Sequence, residues 1–324
     1  MKEQVNKKTL RILVVTNLYP TPKTSNRIFV KEQIESLREH YPDLAIDIHV
    51  IEGYSPKGAY LRDMLRLPAI VKNGRYNIVH AHFGLALIST MFVHAPIVVT
   101  FHGSDLLVNP TKHISKILAH RASKVIVVAQ RLRDCLGYGE VIPCGIRVKD
   151  FALPLSHMNT PRLSIPGKLR VLFPANPIAK VKNYDLFQAV CEELERKGNR
   201  VERIHLMNID RTKVPEVYWN CDLMLLTSSS EGSPTVIKEA IAAKLPFVSV
   251  DVGDVKEWSR LVEFGVVVPG REPKTIADMA ISLLSRVKHR PLLDNSKCLE
   301  MMDIENIAKR IRRVYEDLLD VRSK

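Results

Sequence analysis

Cys221–Val255 reads CDLMLLTSSSEGSPTVIKEAIAAKLPFVSVDVGDV. Leu223 to Leu226 is an apolar run of strand length, Thr227 to Ser233 is polar, and Pro234 opens a helical pattern. Proline suits a first helical position, where its missing N–H leaves no bond unmade. Ile237, Ala240 and Ile241 recur at helical spacing, and Leu245-Pro246 closes the helix before a second β-branched run, Phe247 to Val250. The stretch predicts strand, turn, helix, strand. A helix start of this kind offers free backbone N–H groups and a positive dipole end, which suit a diphosphate.

Two acids, Glu231 in the turn and Glu239 eight positions on, flank that start. A carboxylate beside amides that hold phosphate is repulsive unless it meets hydroxyls instead. A nucleotide sugar has hydroxyls at both ends. Glutamates at this spacing are ordinarily solvated helix surface, but a Ser-Glu-Gly-Ser-Pro turn after a buried strand is a different setting.

The chain of 324 residues is long enough for two cores. No run approaches the ~20 apolar residues of a membrane span, and MKEQVNKKTLRILVVT does not read as a signal peptide. Five scattered cysteines without a C-x-x-C pair fit reduced thiols in a cytoplasmic protein. The net charge of +13 is uneven: residues 1–150 hold 21 Lys and Arg against 12 Asp and Glu. A basic first half implies an anionic partner. The basic–aromatic interleaving of nucleic-acid sites is absent, so no nucleic acid is expected.

Around the opening stretch, β and α patterns alternate. Strands are expected at 11–16, 46–51, 78–81, 97–101 and 125–128, then again at 169–173 and 203–207, with helices between. This alternation predicts doubly wound parallel sheets. Residues 150–168, with three prolines, read as a linker. The expected domains are 1–155, an acceptor domain, and 168–302, a donor domain, facing each other across a cleft. A final helix, 303–324, would return to the first.

Ligands in such sheets bind at the carboxyl ends of strands. There the first half carries His80-Ala81-His82 and His102-Gly103-Ser104-Asp105. His80 and His82 share a strand face, but no third metal ligand is near, and no metal is expected. In the second half, Lys180 and Lys182 follow the strand 169–173 and precede a helix, where cations favour phosphate.

SSSEGSPTVIKEAIAAKLPFVSVDVGDVKE resembles the donor signature of retaining glycosyltransferases of family 4, with two Rossmann-like domains of the GT-B fold. YPT…RIFVKEQIESL, NIVHAHF, TFHGSD, VIPCGI and VKNYDL support the resemblance along most of the chain. It is nearest to bacterial surface-polysaccharide enzymes of the teichuronic-acid type. The resemblance implies that Glu231 meets the donor sugar and Glu239 the ribose. The amides of Gly232, Ser233, Pro234–Thr235 and Val236 would line sugar and diphosphate. Lys182, with Lys180 beside it, would neutralise the leaving diphosphate, and His102 would stand by the reacting carbon. Arg27, His82 and Asp105 fall on the acceptor side. No cofactor is implied beyond the donor substrate, and no Asp-x-Asp pattern of metal-dependent transferases occurs. Two departures stand out: Ala175-Asn176 replaces the family's Gly-Arg, and Arg27 sits at or beside the first loop's usual glycine.

The expected function is metal-independent sugar transfer from a UDP or GDP donor to a surface-glycan or lipid-linked acceptor. The alternatives are a non-catalytic nucleotide-sugar-binding subunit and a sugar-nucleotide epimerase. Lys57 to Arg75 alternates Leu61, Met64, Leu65 and Ile70 with Arg62, Arg66, Lys72 and Arg75, which suits an anionic membrane surface and a peripheral location. Pro68 argues against one continuous helix there.

Overall fold

The computed structural model of the chain describes residues 9–20, 28–51, 58–107, 111–154, 168–289 and 295–320. They divide into two compact units. One runs to Gly145 and takes back the chain from Ile304; the other is Ile146–Asp303. Arg27, Lys57 at the head of the Lys57–Arg75 stretch, and most of the expected linker (155–167) lie outside the described residues.

The first unit holds six parallel strands: β1 (Leu10–Thr16), β2 (Leu44–Val50), β3 (Ile78–His82), β4 (Ile97–Phe101), β5 (Lys124–Val127) and β6 (Glu140–Val141), in the order β2-β1-β3-β4-β5-β6. Period-two alternation sorts its two faces. Leu13 and Val15 pack with Leu67, Leu87 and Leu118 of α2 (Ala59–Asn73), α3 (Ala86–Ser89) and α5 (Thr111–Ala119). Ile12 and Val14 pack with Ile34, Leu37, Ile311 and Tyr315 of α1 (Ile28–His40) and the last helix, α14 (Ile304–Asp320). That last helix repeats Ile304, Ile307, Ile311, Val314 and Leu318 on its buried face.

The second unit has five parallel strands: β7 (Lys168–Phe173), β8 (Arg200–His205), β9 (Leu223–Leu226), β10 (Phe247–Val250) and β11 (Gly265–Val268), ordered β11-β10-β9-β7-β8. Chain order reverses between β7 and β9. Open α/β sheets bind ligands at such a switch point, beyond the strand carboxyl ends.

Three local expectations change. Pro68 lies inside an unbroken α2, because Asp63, Leu67 and Val71 are buried on one face and their packing outweighs the lost backbone bond. Pro234 is the N-cap of α10 (Thr235–Ala242), with extended backbone (φ −67, ψ 114), and not its first residue. The division between units falls at Gly145–Ile146, ahead of 155. Phe151, on α7 (Val148–Phe151), is buried in the second unit's core, and its carbonyl accepts from Trp219 Nε1 at 2.9 Å. The short elements α6 (Gln130–Leu136), β6, α11 (Val255–Ser259) and β11 had no reading in the sequence. Each is too short, or too polar at its edge, to show a period.

Candidate active site

The loops after β7 and β9 meet at the switch point of the second sheet. The first forms a 3-10 turn, Lys180–Lys182, closed by Asn183 in the left-handed region (φ 53) before α8 (Tyr184–Arg196). The second is Thr227 to Pro234. Ser229 N donates to Val181 O at 2.7 Å, and Thr227 Oγ1 lies 3.1 and 3.0 Å from the carbonyls of Lys182 and Asn183. Lys182 Nζ then reaches Glu231 Oε1 at 2.7 Å, joining residues 49 positions apart in sequence. Lys180 is exposed one turn earlier.

Glu231, Gly232, Thr235 and Val236 are half-buried, and Ser233 and Pro234 are buried. No side chain caps the start of α10, which leaves its first amides for another partner. Ser233 Oγ is turned inward, donating to Asp254 Oδ2 at 2.6 Å. Glu239 is buried too. Its Oε2 accepts from the Tyr218 hydroxyl at 2.7 Å and its Oε1 is 2.8 Å from Arg211 Nη1. Burial, then the Glu239 charge, raise the Tyr218 pKa well above its usual value, so the phenol stays a donor.

Arg271 gave no sequence signal, yet it donates to the carbonyls of Thr227, Ser228 and Ser229 at 3.1, 2.9 and 3.3 Å. It fastens the base of the Glu231 turn. Arg211 and Tyr218 were equally silent in the sequence, since they meet Glu239 only in the folded chain. Asn176 Oδ1 accepts from Ile178 N at 3.0 Å, within its own loop.

In the first unit, His80, His82 and Thr100 fall on the sheet face covered by α14. His80 Nδ1 is 2.6 Å from the Tyr315 hydroxyl and its Nε2 is 2.8 Å from Thr100 Oγ1. The rings of His80 and His82 stack at 4.4 Å, and those of His82 and His102 at 5.2 Å. His82 Nδ1 meets His102 Nε2 at 3.0 Å, while His82 Nε2 has no partner among the described residues. Burial lowers all three pKa values, that of His82 to about 3, so the stack is neutral.

Asp105 points into its own turn. Its carboxylate accepts from the amides of His102 (3.2 Å), Gly103 (2.8 Å) and Gly84 (3.3 Å). Burial raises its pKa to about 6 against the lowering by those amides. It shapes the His102 loop from within. Gly103 takes φ 125, a region open to glycine, which lets the loop turn directly after His102. Among the described residues no group of three His, Cys, Asp or Glu could hold a metal ion.

Comparison with known proteins accounts for both units. The profile described as Glycosyltransferase Family 4 matches residues 13–150, and that described as Glycosyl transferases group 1 matches residues 178–286. Two parallel-sheet α/β units of this kind are the GT-B fold of glycosyltransferases. The chain belongs to glycosyltransferase family 4.

It is 27% identical over 211 residues to the putative teichuronic acid biosynthesis glycosyltransferase TuaC of Bacillus subtilis, an alignment spanning 55% of this chain and about half (54%) of that relative. It is 24% identical over 338 residues to the phosphatidyl-myo-inositol mannosyltransferase of Mycobacterium leprae, 90% of each chain. Among solved structures, Anabaena HepE in complex with UDP superposes with a TM-score of 0.71 at 16% identity, covering 95% of this chain and 100% of that one. Sucrose-phosphate synthase of Thermosynechococcus elongatus gives 0.75 at 16% identity, covering 96% and 100%. These two likenesses are likenesses of fold.

Proposed function

We propose that this chain is a retaining, metal-independent glycosyltransferase that moves a sugar from a UDP or GDP donor to a surface-glycan or lipid-linked acceptor. The observation that carries the reading is the convergence of Lys182, Glu231 and the uncapped start of α10 at one switch point. The HepE structures with UDP and UDP-glucose support the donor class, and the likeness to TuaC supports the acceptor class.

In this reading the amides of Gly232, Ser233, Thr235 and Val236, with the Lys182 ammonium, hold the diphosphate, Glu231 takes donor-sugar hydroxyls and Glu239 the ribose. His102 serves the reacting carbon, and His82 and Arg27 the acceptor side. The bond from the anomeric carbon to the phosphate oxygen breaks as the bond to the acceptor hydroxyl forms on the same face. The acceptor proton passes to the departing phosphate. Lysine and helix dipole supply the charge stabilisation. Thermal-shift measurement against UDP-glucose, GDP-mannose and their free nucleotides tests it, because a donor stabilises by mass action. One donor raising Tm and turning over slowly with retention is expected; no binding by any overturns it.

Asn176 favours a second reading. With its side chain bonded within the loop and no cation at 175–176, the chain would hold a nucleotide sugar without reacting. Donor hydrolysis by the purified protein decides against that.

The reading extends to an anionic membrane surface that presents a lipid-linked acceptor. Residues 58–124 carry eight Lys and Arg and two Asp, Asp63 and Asp105, both buried. The helices on that side of the sheet expose Leu61 (54%), Leu65 (71%) and Ile117 (71%). Exposed apolar side chains among cations that outnumber the acids of the same segment suit anionic headgroups. Among the described residues no helix is long and apolar enough to cross a membrane.

A further inference from the structure

A lysine with no exposed surface lies directly under the Glu231 turn. Lys238, on the inner face of α10, places Nζ 2.5 Å from Ser233 Oγ and 3.6 Å from Asp254 Oδ2. Its ammonium is 5.1 Å from the centre of the Trp258 ring. Asp254 Oδ2 also accepts from Ser233 Oγ at 2.6 Å and from Trp258 Nε1 at 2.8 Å. Asp254 Oδ1 is buried with no partner among the described residues.

Stability alone does not explain such a cluster. Withdrawing two charges from water opposes their attraction, and well-packed apolar residues often serve a core as well or better. Buried ion pairs are best attested where one arrangement of the chain must be chosen over others. Here the chain so chosen is Gly232–Pro234. Ser233 is bonded to both members of the pair, and the turn that carries Asp254 meets the same segment again through its backbone. Gly253 (φ +56) packs so closely that a Cβ there would stand 2.5 Å from Gly232 O and 3.1 Å from Pro234 Cδ. Two contacts, one ionic and one of backbone on backbone, hold one turn.

We propose that Lys238 and Asp254 are positioning residues for the donor: the buried pair, keyed through Ser233, fixes the Gly232–Pro234 backbone so that the amides of Gly232 and Ser233, and those that open α10, converge on the diphosphate. This rests on the donor-site reading above, and goes beyond it in assigning the loop's geometry to residues that touch no substrate. Lys238 and Asp254 are both buried, so their effect on a ligand passes through the backbone they hold.

Lys238→Met keeps the stem and removes the ammonium. Lys238→Met/Asp254→Asn removes both charges and leaves no buried ion unpaired, which guards against loss of folding. The double variant is expected to melt within a few degrees of wild type, to bind UDP-glucose or GDP-mannose (whichever stabilises wild type) at least tenfold more weakly, and to exchange amide hydrogens faster in 229–236 with 240–250 unchanged. A merely structural pair would move the melting temperature and exchange throughout α10 while leaving donor affinity per folded molecule alone. Unchanged affinity in the folded double variant overturns the proposal, as does unchanged exchange in 229–236. If wild type binds neither donor, the functional reading fails, and local exchange alone then decides whether the pair holds the turn.

Discussion

Lys182 Nζ and Glu231 Oε1 stand 2.7 Å apart at the switch point of the second sheet, each partly shielded (27% and 13% exposed). The cation proposed for the diphosphate is thus paired with the carboxylate proposed for the sugar. A donor arriving there finds each group already aimed, and exchanges an ion pair for its own phosphate and hydroxyls. Lys182→Ala and Glu231→Ala are each expected to slow transfer by about a hundred- to a thousandfold, the usual loss for one group that stabilises developing charge. Steady-state kinetics together with circular dichroism check this; normal turnover in both variants would remove the site assignment.

Tyr218→Phe probes the support beneath Glu239. It removes a buried hydrogen bond to a carboxylate, worth about 1.5–3 kcal/mol, and leaves Arg211 as the partner of Oε1. Urea denaturation should show that loss, and nucleotide affinity should fall with it if Glu239 meets the ribose. A stability loss with unchanged affinity would separate Glu239 from the donor.

Gly253→Ala should be among the most damaging small substitutions in the second unit. A positive φ costs an L-residue roughly 1–2 kcal/mol, and the added methyl meets Gly232 O at 2.5 Å. Lower Tm and weaker donor binding are both expected. A contrast is Gly137→Ala, also at positive φ (+91), whose Cβ would meet nothing within 4 Å and which should show the backbone penalty alone.

The histidine stack predicts a pH dependence of stability. His82 has its pKa lowered by burial to about 3, against about 6.5 in the unfolded chain. The unfolded state therefore binds the proton first as pH falls, and the stability from neutral His82 is present above pH ~6.5 and lost below it, about 2 kcal/mol by pH 5. His82→Gln should lessen the loss between pH 7.5 and 5. Asp105 has the opposite sign. With its pKa raised to about 6, its contribution is full below the unfolded value and disappears as pH rises through 6. Asp105→Asn should remove that fall. Urea midpoints across pH 4–7.5 read both.

Changing Arg62, Arg66, Lys72 and Arg75 together to Gln should weaken binding to phosphatidylserine vesicles by roughly a thousandfold at low salt, at about 1 kcal/mol per cation near the surface. Sedimentation with vesicles measures it. Binding unaffected by the change would remove the membrane proposal.

Sequence alone determined the alternation of strands and helices, the strand–turn–helix around Glu231, and the types of residue at the strand ends. These follow from local period and turn chemistry, which need no partner. It did not determine which charges pair. Lys182 finds Glu231 because β7 and β9 are neighbours while β8 lies outside them, an order that no local pattern encodes. Glu239 and Ser233 read as donor-binding positions with no sign of what supports them; Glu239 is held by Tyr218 and Arg211, and the Ser233 side chain by Lys238 and Asp254. The neutral state of the histidines depends on burial in a core where Tyr315, from the far end of the chain, meets His80. Periodicity tells which side of an element is buried. Only the packed structure decides what it is buried against, and for a charge or an imidazole that neighbour sets the chemistry.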